Sequence, residues 1–300
     1  MLATLRGRRG LLVGGSAAYL ALVFGVMLWR GVEIEPQWVV LALLLIAAAM
    51  GRGKQFIFDF VPFLLLFFAY EVMRGFAAKT GFAPHDLSPL ELALFGGHLP
   101  NLVLQGALYR ADTVSVIDLA AMGFYFLHFV LPVAVGFLFW LRSREHYWRF
   151  VAALILMSFM AFAFYLFYPS TPPWLQFPHE VVKISDVTIQ KLHVDYLISP
   201  VYSHLNPNRY AAFPSLHAAY PTLAAVMAWS RYRALSLALF GWAGCVWFAI
   251  VYLGEHYVVD VLFGLVFVAV AMLIVELVAR RWSKGQAETA AEVPRAAAAG

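Results

Sequence analysis

The chain has 300 residues, 63% of them hydrophobic and 13% charged, with a mean hydropathy of +0.77. Soluble domains carry about 25% charged residues, so this balance excludes a water-soluble core and makes the bilayer the main solvent. The net charge of +4 and pI near 9.2 do not imply nucleic acid, because the cations are spread over loop ends where they act as topology determinants.

A helix needs about 17–25 residues to cross the hydrocarbon, and eight apolar stretches meet or approach that length: 11–29, 37–50, 56–73, 119–141, 150–168, 214–230, 235–253 and 256–279. Bare backbone is costly in lipid, so the prediction is an all-α polytopic membrane helix bundle of about 6–8 transmembrane helices plus interfacial helices. Pro62, Pro132 and Pro221 are expected as kinks within spans. The first stretch follows Arg6, Arg8 and Arg9 but is long for a signal-peptide core and has no convincing cleavage site, so it reads as a retained span. The second is the shortest. Residues 1–283 form one membrane domain, and 284–300, rich in Ala, Glu and Gly, are expected to be a disordered cytoplasmic tail.

Lys and Arg in short loops stay on the cytoplasmic side. With eight spans both termini share a side, and that side carries Arg6, Arg8, Arg9, Arg52, Lys54, Arg142, Arg144, Arg149, Arg231, Arg233, Arg280, Arg281 and Lys284. The opposite side holds fewer, nearly all in or beside two long loops, 75–118 and 169–213, which cross largely regardless of charge. Both termini are therefore assigned to the cytoplasm and the long loops to the outer face. Within the first loop, 87–95 suits an interfacial helix. The second opens with a stiff turn, Tyr168-Pro169-Ser170-Thr171-Pro172-Pro173-Trp174. The single cysteine, Cys245, excludes an intramolecular disulfide and a cysteine-based metal cluster. Ala-, Gly-, Arg- and Leu-rich usage with no Asn-x-Ser/Thr acceptor suits a bacterial inner membrane.

Two strings carry the chemistry. Phe213-Pro214-Ser215-Leu216-His217 opens the sixth stretch, and Pro214 suits the first turn of a helix. His217 then sits at a positive helix end, where free N–H groups and the Ser215 hydroxyl are available to a phosphate. His256-Tyr257-Val258-Val259-Asp260 opens the eighth stretch, two crossings later and so on the same face. Asp260 follows His256 by one helical turn. A carboxylate on one imidazole nitrogen fixes the tautomer and leaves the other as a nucleophile, which suits His256 to attack and His217 to serve as general acid and then base.

These residues resemble the type 2 phosphatidic acid phosphatase superfamily, in the branch that contains fungal inositol phosphorylceramide synthase. Pro214 to Ala218 is similar to that branch's second motif, and His256 to Asp260 with Gly264 to its third. The resemblance extends to Asp59, Pro62, Tyr70, Arg74 and Gly75, and to the turn from Pro169 to Trp174. It implies a phosphohistidine mechanism with no cofactor and no obligatory metal: His256 attacks phosphorus, Asp260 orients it, and His217 handles the protons. The superfamily's phosphatases carry Lys-x6-Arg-Pro, which is absent here, and Ser-Arg seven and six positions before the third-motif histidine, where this chain has Ala249 and Ile250. Loss of that cationic clamp tilts the expectation toward phospholipid headgroup transfer, with a phospholipid donor and a lipid or polyol hydroxyl as acceptor.

The phosphate still needs positive partners. Arg209, eight positions before His217, is the first candidate, followed by Lys183, Lys191, Arg74 and Arg110. Three alternatives stay open: a lipid phosphate phosphatase, with water as acceptor; a metal site built from His217, His256 and Asp260; and a non-enzymatic lipid transporter, which predicts polar groups at the midplane and internal repeats. His128, nearly mid-span, reads as a polar packing contact, and Asp59 lies toward the wrong face for the chemistry.

Overall fold

In a computed structural model the described residues are 36–77, 81–128, 130–193 and 208–297. The expected first span, 11–29, lies outside them. The described residues form twelve helices: α1 (Pro36–Ala49), α2 (Gly53–Ala77), α3 (Ser88–Leu94), α4 (Pro100–Leu108), α5 (Val116–Leu127), α6 (Val130–Arg142), α7 (Arg144–Phe167), α8 (Pro173–Gln176), α9 (Ile184–Leu192), α10 (Leu216–Trp229), α11 (Arg233–Tyr252) and α12 (Val258–Ala297). The protein is an all-helical membrane bundle, and no strand ladder occurs among the described residues.

Four helical segments are long and apolar enough to cross a bilayer: Gly53–Gly75, Arg144–Phe167, Arg233–Tyr252 and Val258–Ser283. A fifth is the pair α5 and α6, which the sequence presents as one stretch but which bends by 54° at its break. The cause is local. In an unbroken helix the carbonyl of His128 would bond the N–H of residue 132, and Pro132 has none. Pro132 instead occupies the first turn of α6, where no donor is needed.

Helix α10, at 14 residues, is shorter than a full crossing. It is enclosed by α6, α7, α11 and α12, and its alanines at 218, 219, 224, 225 and 228 are buried. Small side chains let these neighbours approach closely. The helix of α12 runs on to Ala297, past the start of the tail predicted from composition, through Ala, Glu and Gln, which are strong helix formers.

The basic end of the bundle is braced around Asp59, which is fully buried. Its carboxylate accepts from Trp140 Nε1 at 2.8 Å and Arg144 Nε at 2.9 Å, and its carbonyl from Tyr147 at 2.9 Å. Helices α2, α6 and α7 are thereby joined there. Helix α7 spans 24 residues, about 36 Å at 1.5 Å per residue, and reaches the opposite end, where the two long loops meet. His85 N–H donates to Pro169 at 2.8 Å, Thr171 to His85 at 3.0 Å and Ser170 to Tyr210 at 2.9 Å.

Candidate active site

The two histidine strings are joined through their backbones. Ser215 N–H donates to the Asp260 carbonyl at 3.0 Å, and Tyr165 holds the Pro214 carbonyl at 2.8 Å. A Cβ built on Gly264 would stand 2.5 Å from the Ser215 carbonyl oxygen, so α12 rests on the start of α10 at a distance only glycine permits.

Helix α10 begins two residues later than the proline position suggests. Ser215 is its N-cap, and its hydroxyl accepts from Ala218 N at 3.4 Å. Ser215 is fully buried and is not among the residues that line the pocket; its oxygen accepts the cap bond of the helix.

The third motif also differs from the expected shared helix face. His256 lies before α12, and Asp260 is its third residue. One oxygen, Oδ2, accepts from His256 Nδ1 at 3.1 Å and from Tyr257 N at 2.9 Å. The contact is therefore a helix-start closure of the kind found in a capping box. The first two N–H groups of α12, at Val258 and Val259, are held by the carboxylate of Glu91 at 2.9 and 3.0 Å. Glu91 belongs to α3, the segment expected to lie on the membrane surface. It is fully buried, and burial pushes its carboxyl up from the ordinary value while the two N–H bonds pull it down.

The turn that carries His256 is stitched from α4. Asn101 Nδ2 donates to the carbonyls of Val251 at 2.7 Å and His256 at 3.0 Å. Gln105 Nε2 donates to those of Val182 at 2.8 Å and Tyr252 at 2.9 Å. Gly254 takes φ +82°, with Val182 O 2.8 Å from any Cβ there, so the reversal after α11 requires glycine. Asn101, Gln105 and Glu91 escape sequence reasoning; the available signal was polar groups on two short apolar helices, and the amides are one turn apart.

His256 Nε2 lies 3.1 Å from His217 Nδ1. An ionised Asp260 only accepts, so His256 Nδ1 carries the proton, Nε2 presents its lone pair, and His217 Nδ1–H donates to it. Both rings open on a pocket of about 280 Å³ whose lining includes Arg74, Tyr125, Trp174, Lys183, Asn208, Arg209 and Glu255. Arg74 is buried, and Asn208 donates to its carbonyl at 3.1 Å.

The remaining predicted cations divide. Arg209 lines the pocket and is exposed. Lys183 also lines it, but its ammonium is 3.0 Å from Asp186, 4.0 Å from Glu255 and 4.8 Å above the Trp174 ring. Lys191 is elsewhere: its Nζ donates to the carbonyl of Ala111 at 2.6 Å, bracing the loop between α4 and α5. Arg110 bonds its neighbour's carbonyl, that of Tyr109, at 2.9 Å. Among the described residues no three His, Cys, Asp or Glu side chains are arranged to hold a metal ion. Glu255 accepts from Ser185 at 2.9 Å; burial raises its carboxyl above the usual value, and Lys183 opposes that shift.

His128, expected as a polar packing contact, packs against His217. Its ring centroid lies 3.9 Å from that of His217, and the Tyr125 ring stacks on His217 at 4.8 Å with 12° between planes.

The sequence pattern described as the PAP2 superfamily matches residues 87–274, which include Glu91 and both histidine strings. The chain is 29% identical over 262 residues to the phosphoinositol dihydroceramide synthase of Bacteroides thetaiotaomicron, covering 75% of this chain and 85% of that protein. No solved structure matches the chain significantly.

Proposed function

The chain belongs to the PAP2 superfamily, a class of membrane phosphatases and phosphotransferases, and from that membership we propose that it transfers a phospho-headgroup from a phospholipid to an acceptor hydroxyl. The observation that carries the proposal is the hydrogen-bonded series Asp260, His256, His217 at the pocket. His256 Nε2 attacks phosphorus, the N–P bond forms, and the bond from phosphorus to the diacylglycerol oxygen breaks. His217, entering the step as the imidazolium, delivers a proton to that oxygen and is left neutral. In the second half the acceptor hydroxyl loses its proton to His217, attacks phosphorus and releases His256. Arg74 and Arg209 supply positive charge for the non-bridging oxygens.

Transfer is favoured over hydrolysis by the two positions where the superfamily's phosphatases carry Ser-Arg. Ala249 and Ile250 are both at 0% exposure inside an apolar cluster with Ile184, Val246 and Leu253. A guanidinium at that place would have no room. The name of the Bacteroides relative supports a phosphoinositol headgroup and a ceramide-type acceptor. An outer-face site with cytoplasmic termini is supported by the distribution of Arg52, Arg144, Arg149 and Arg231, which lie at the end of the bundle away from the pocket.

The test is purified protein in nanodiscs with phosphatidylinositol labelled on phosphorus, with and without ceramide. The expected result is acid-labile label on His256 that chases into a new lipid only when ceramide is present, and no label in His256→Ala. Release of inositol phosphate at the same rate without acceptor would identify a hydrolase instead.

A further inference from the structure

We propose that His128 is a positioning residue for this reaction: together with Tyr125 it clamps the His217 imidazole so that Nδ1 faces His256 Nε2. The inference rests on the phosphohistidine reading above and adds a residue to it.

The orientation of a histidine ring is weakly set by its own chain, because its last torsion is broad and roughly two-fold. A general acid, in contrast, must aim one nitrogen within hydrogen-bond reach of the leaving oxygen. Something outside α10 has to hold the ring of His217, and two groups, from the last turn of α5 and from the residue that caps it, do so. Tyr125 lies nearly parallel to it, 12° apart, and His128 packs at 43° with centroids 3.9 Å apart.

The clamp is itself anchored. His128 Nδ1 bonds the carbonyl of Tyr125, and a carbonyl only accepts, so that nitrogen carries the proton and the ring plane is tied to the end of α5. The other end of α5 is fixed by a capping box between Ser115 and Asp118, and Asp118 accepts from Tyr252 of α11 at 2.5 Å. The turn that holds His256 begins directly after that tyrosine. The bend at this point of the fifth span thus places an ionisable side chain, 2% exposed, against the acid of the reaction, and buried polar groups at such depth are costly enough to be functional.

The alternative, that His128 merely satisfies the broken helix, is separable by leaving group. Phosphatidylinositol expels an alkoxide and needs the proton, whereas the 4-nitrophenyl ester of inositol phosphate expels an acidic phenol and does not. His128→Asn keeps an N–H for the Tyr125 carbonyl and removes the ring. It is expected to slow labelling from phosphatidylinositol by about tenfold or more, while labelling from the nitrophenyl ester stays within about threefold. His128→Phe restores a ring against His217 and is expected to return the ratio of the two rates to that of the wild type. The ratio is taken within one preparation, so a reduced folded fraction cancels. An unchanged ratio in His128→Asn, or the same raised ratio in both variants, overturns the clamp. Absence of label on His256 in the wild-type protein from either ester overturns the reaction itself and the clamp with it.

Discussion

Nε2 of His256 and Nδ1 of His217 lie 3.1 Å apart, although 39 positions separate the two residues in sequence. At that separation the two imidazoles share a hydrogen bond, which holds the two motif strings against each other at the pocket.

Asp260→Asn tests the fixed tautomer. The amide oxygen can still accept from His256 Nδ1–H and Tyr257 N–H, as Oδ2 alone does here, but it carries no charge to stabilise an imidazolium. Phosphohistidine formation is expected to fall by about 10²-fold or more, with substrate affinity little changed. Labelling at saturating lipid measures it, and wild-type rates would remove Asp260 from the mechanism.

Gly264→Ala tests the closeness of the two motif helices. A methyl group 2.5 Å from the Ser215 carbonyl must push α12 away and carry His256 and Asp260 with it. A loss of about 1–3 kcal/mol in stability is expected, as for overpacking elsewhere, together with a loss of transfer. Thermal unfolding in detergent and the labelling assay read the two effects.

Arg74 and Lys191 were equal candidates by charge and face, and the structure separates them. Arg74→Ala is expected to lower transfer by about 10²-fold, in line with removing one donor to developing charge. Lys191→Ala, which loses loop carbonyls and a contact over the Tyr109 ring away from the pocket, should leave the rate within about twofold of wild type. Equal losses in the two variants would contradict the assignment of the pocket.

Glu255→Gln tests the buried carboxyl in the pocket wall. Its folded value is raised above the ordinary 4.5, so ionisation costs the folded state more than the unfolded one. Well below 4.5 both states are protonated and variant and wild type should be equally stable. As pH rises from 4.5 through the raised folded value the wild type loses stability relative to the variant, and above it the advantage of Gln is constant. Unfolding midpoints across pH 4–8 check the sign; a Gln variant that is less stable at neutral pH contradicts it.

The legible part of the site was its chain-local part. His256 and Asp260 are four apart, and the tie between them survives even though His256 stands outside the helix, because a carboxylate at the third helical position naturally reaches back to the residues before the start. Ser215 is a candidate phosphate donor because its hydroxyl sits at a positive helix end, and at that same end its oxygen caps the helix. Lys191 was on the expected face, yet a long flexible side chain bonds whatever carbonyls the neighbouring loop brings within reach. No local pattern marked Glu91, whose partners at Val258 and Val259 lie 167 and 168 positions away.

Composition and apolar run length alone determined that this protein is a helical membrane bundle, because in lipid every backbone group must find its partner within the same segment. The two histidine strings and the count of apolar stretches between them put His217 and His256 on one face. Which side chains meet there was decided only by the tertiary structure. The bend after α5 set His128 against His217, the glycine contact set α12 on α10, and a buried glutamate from α3 closed the helix that carries the aspartate. Each is a contact between segments whose spacing in the chain carries no periodic signal, since packing depends on how close two surfaces come and not on how far apart they were made.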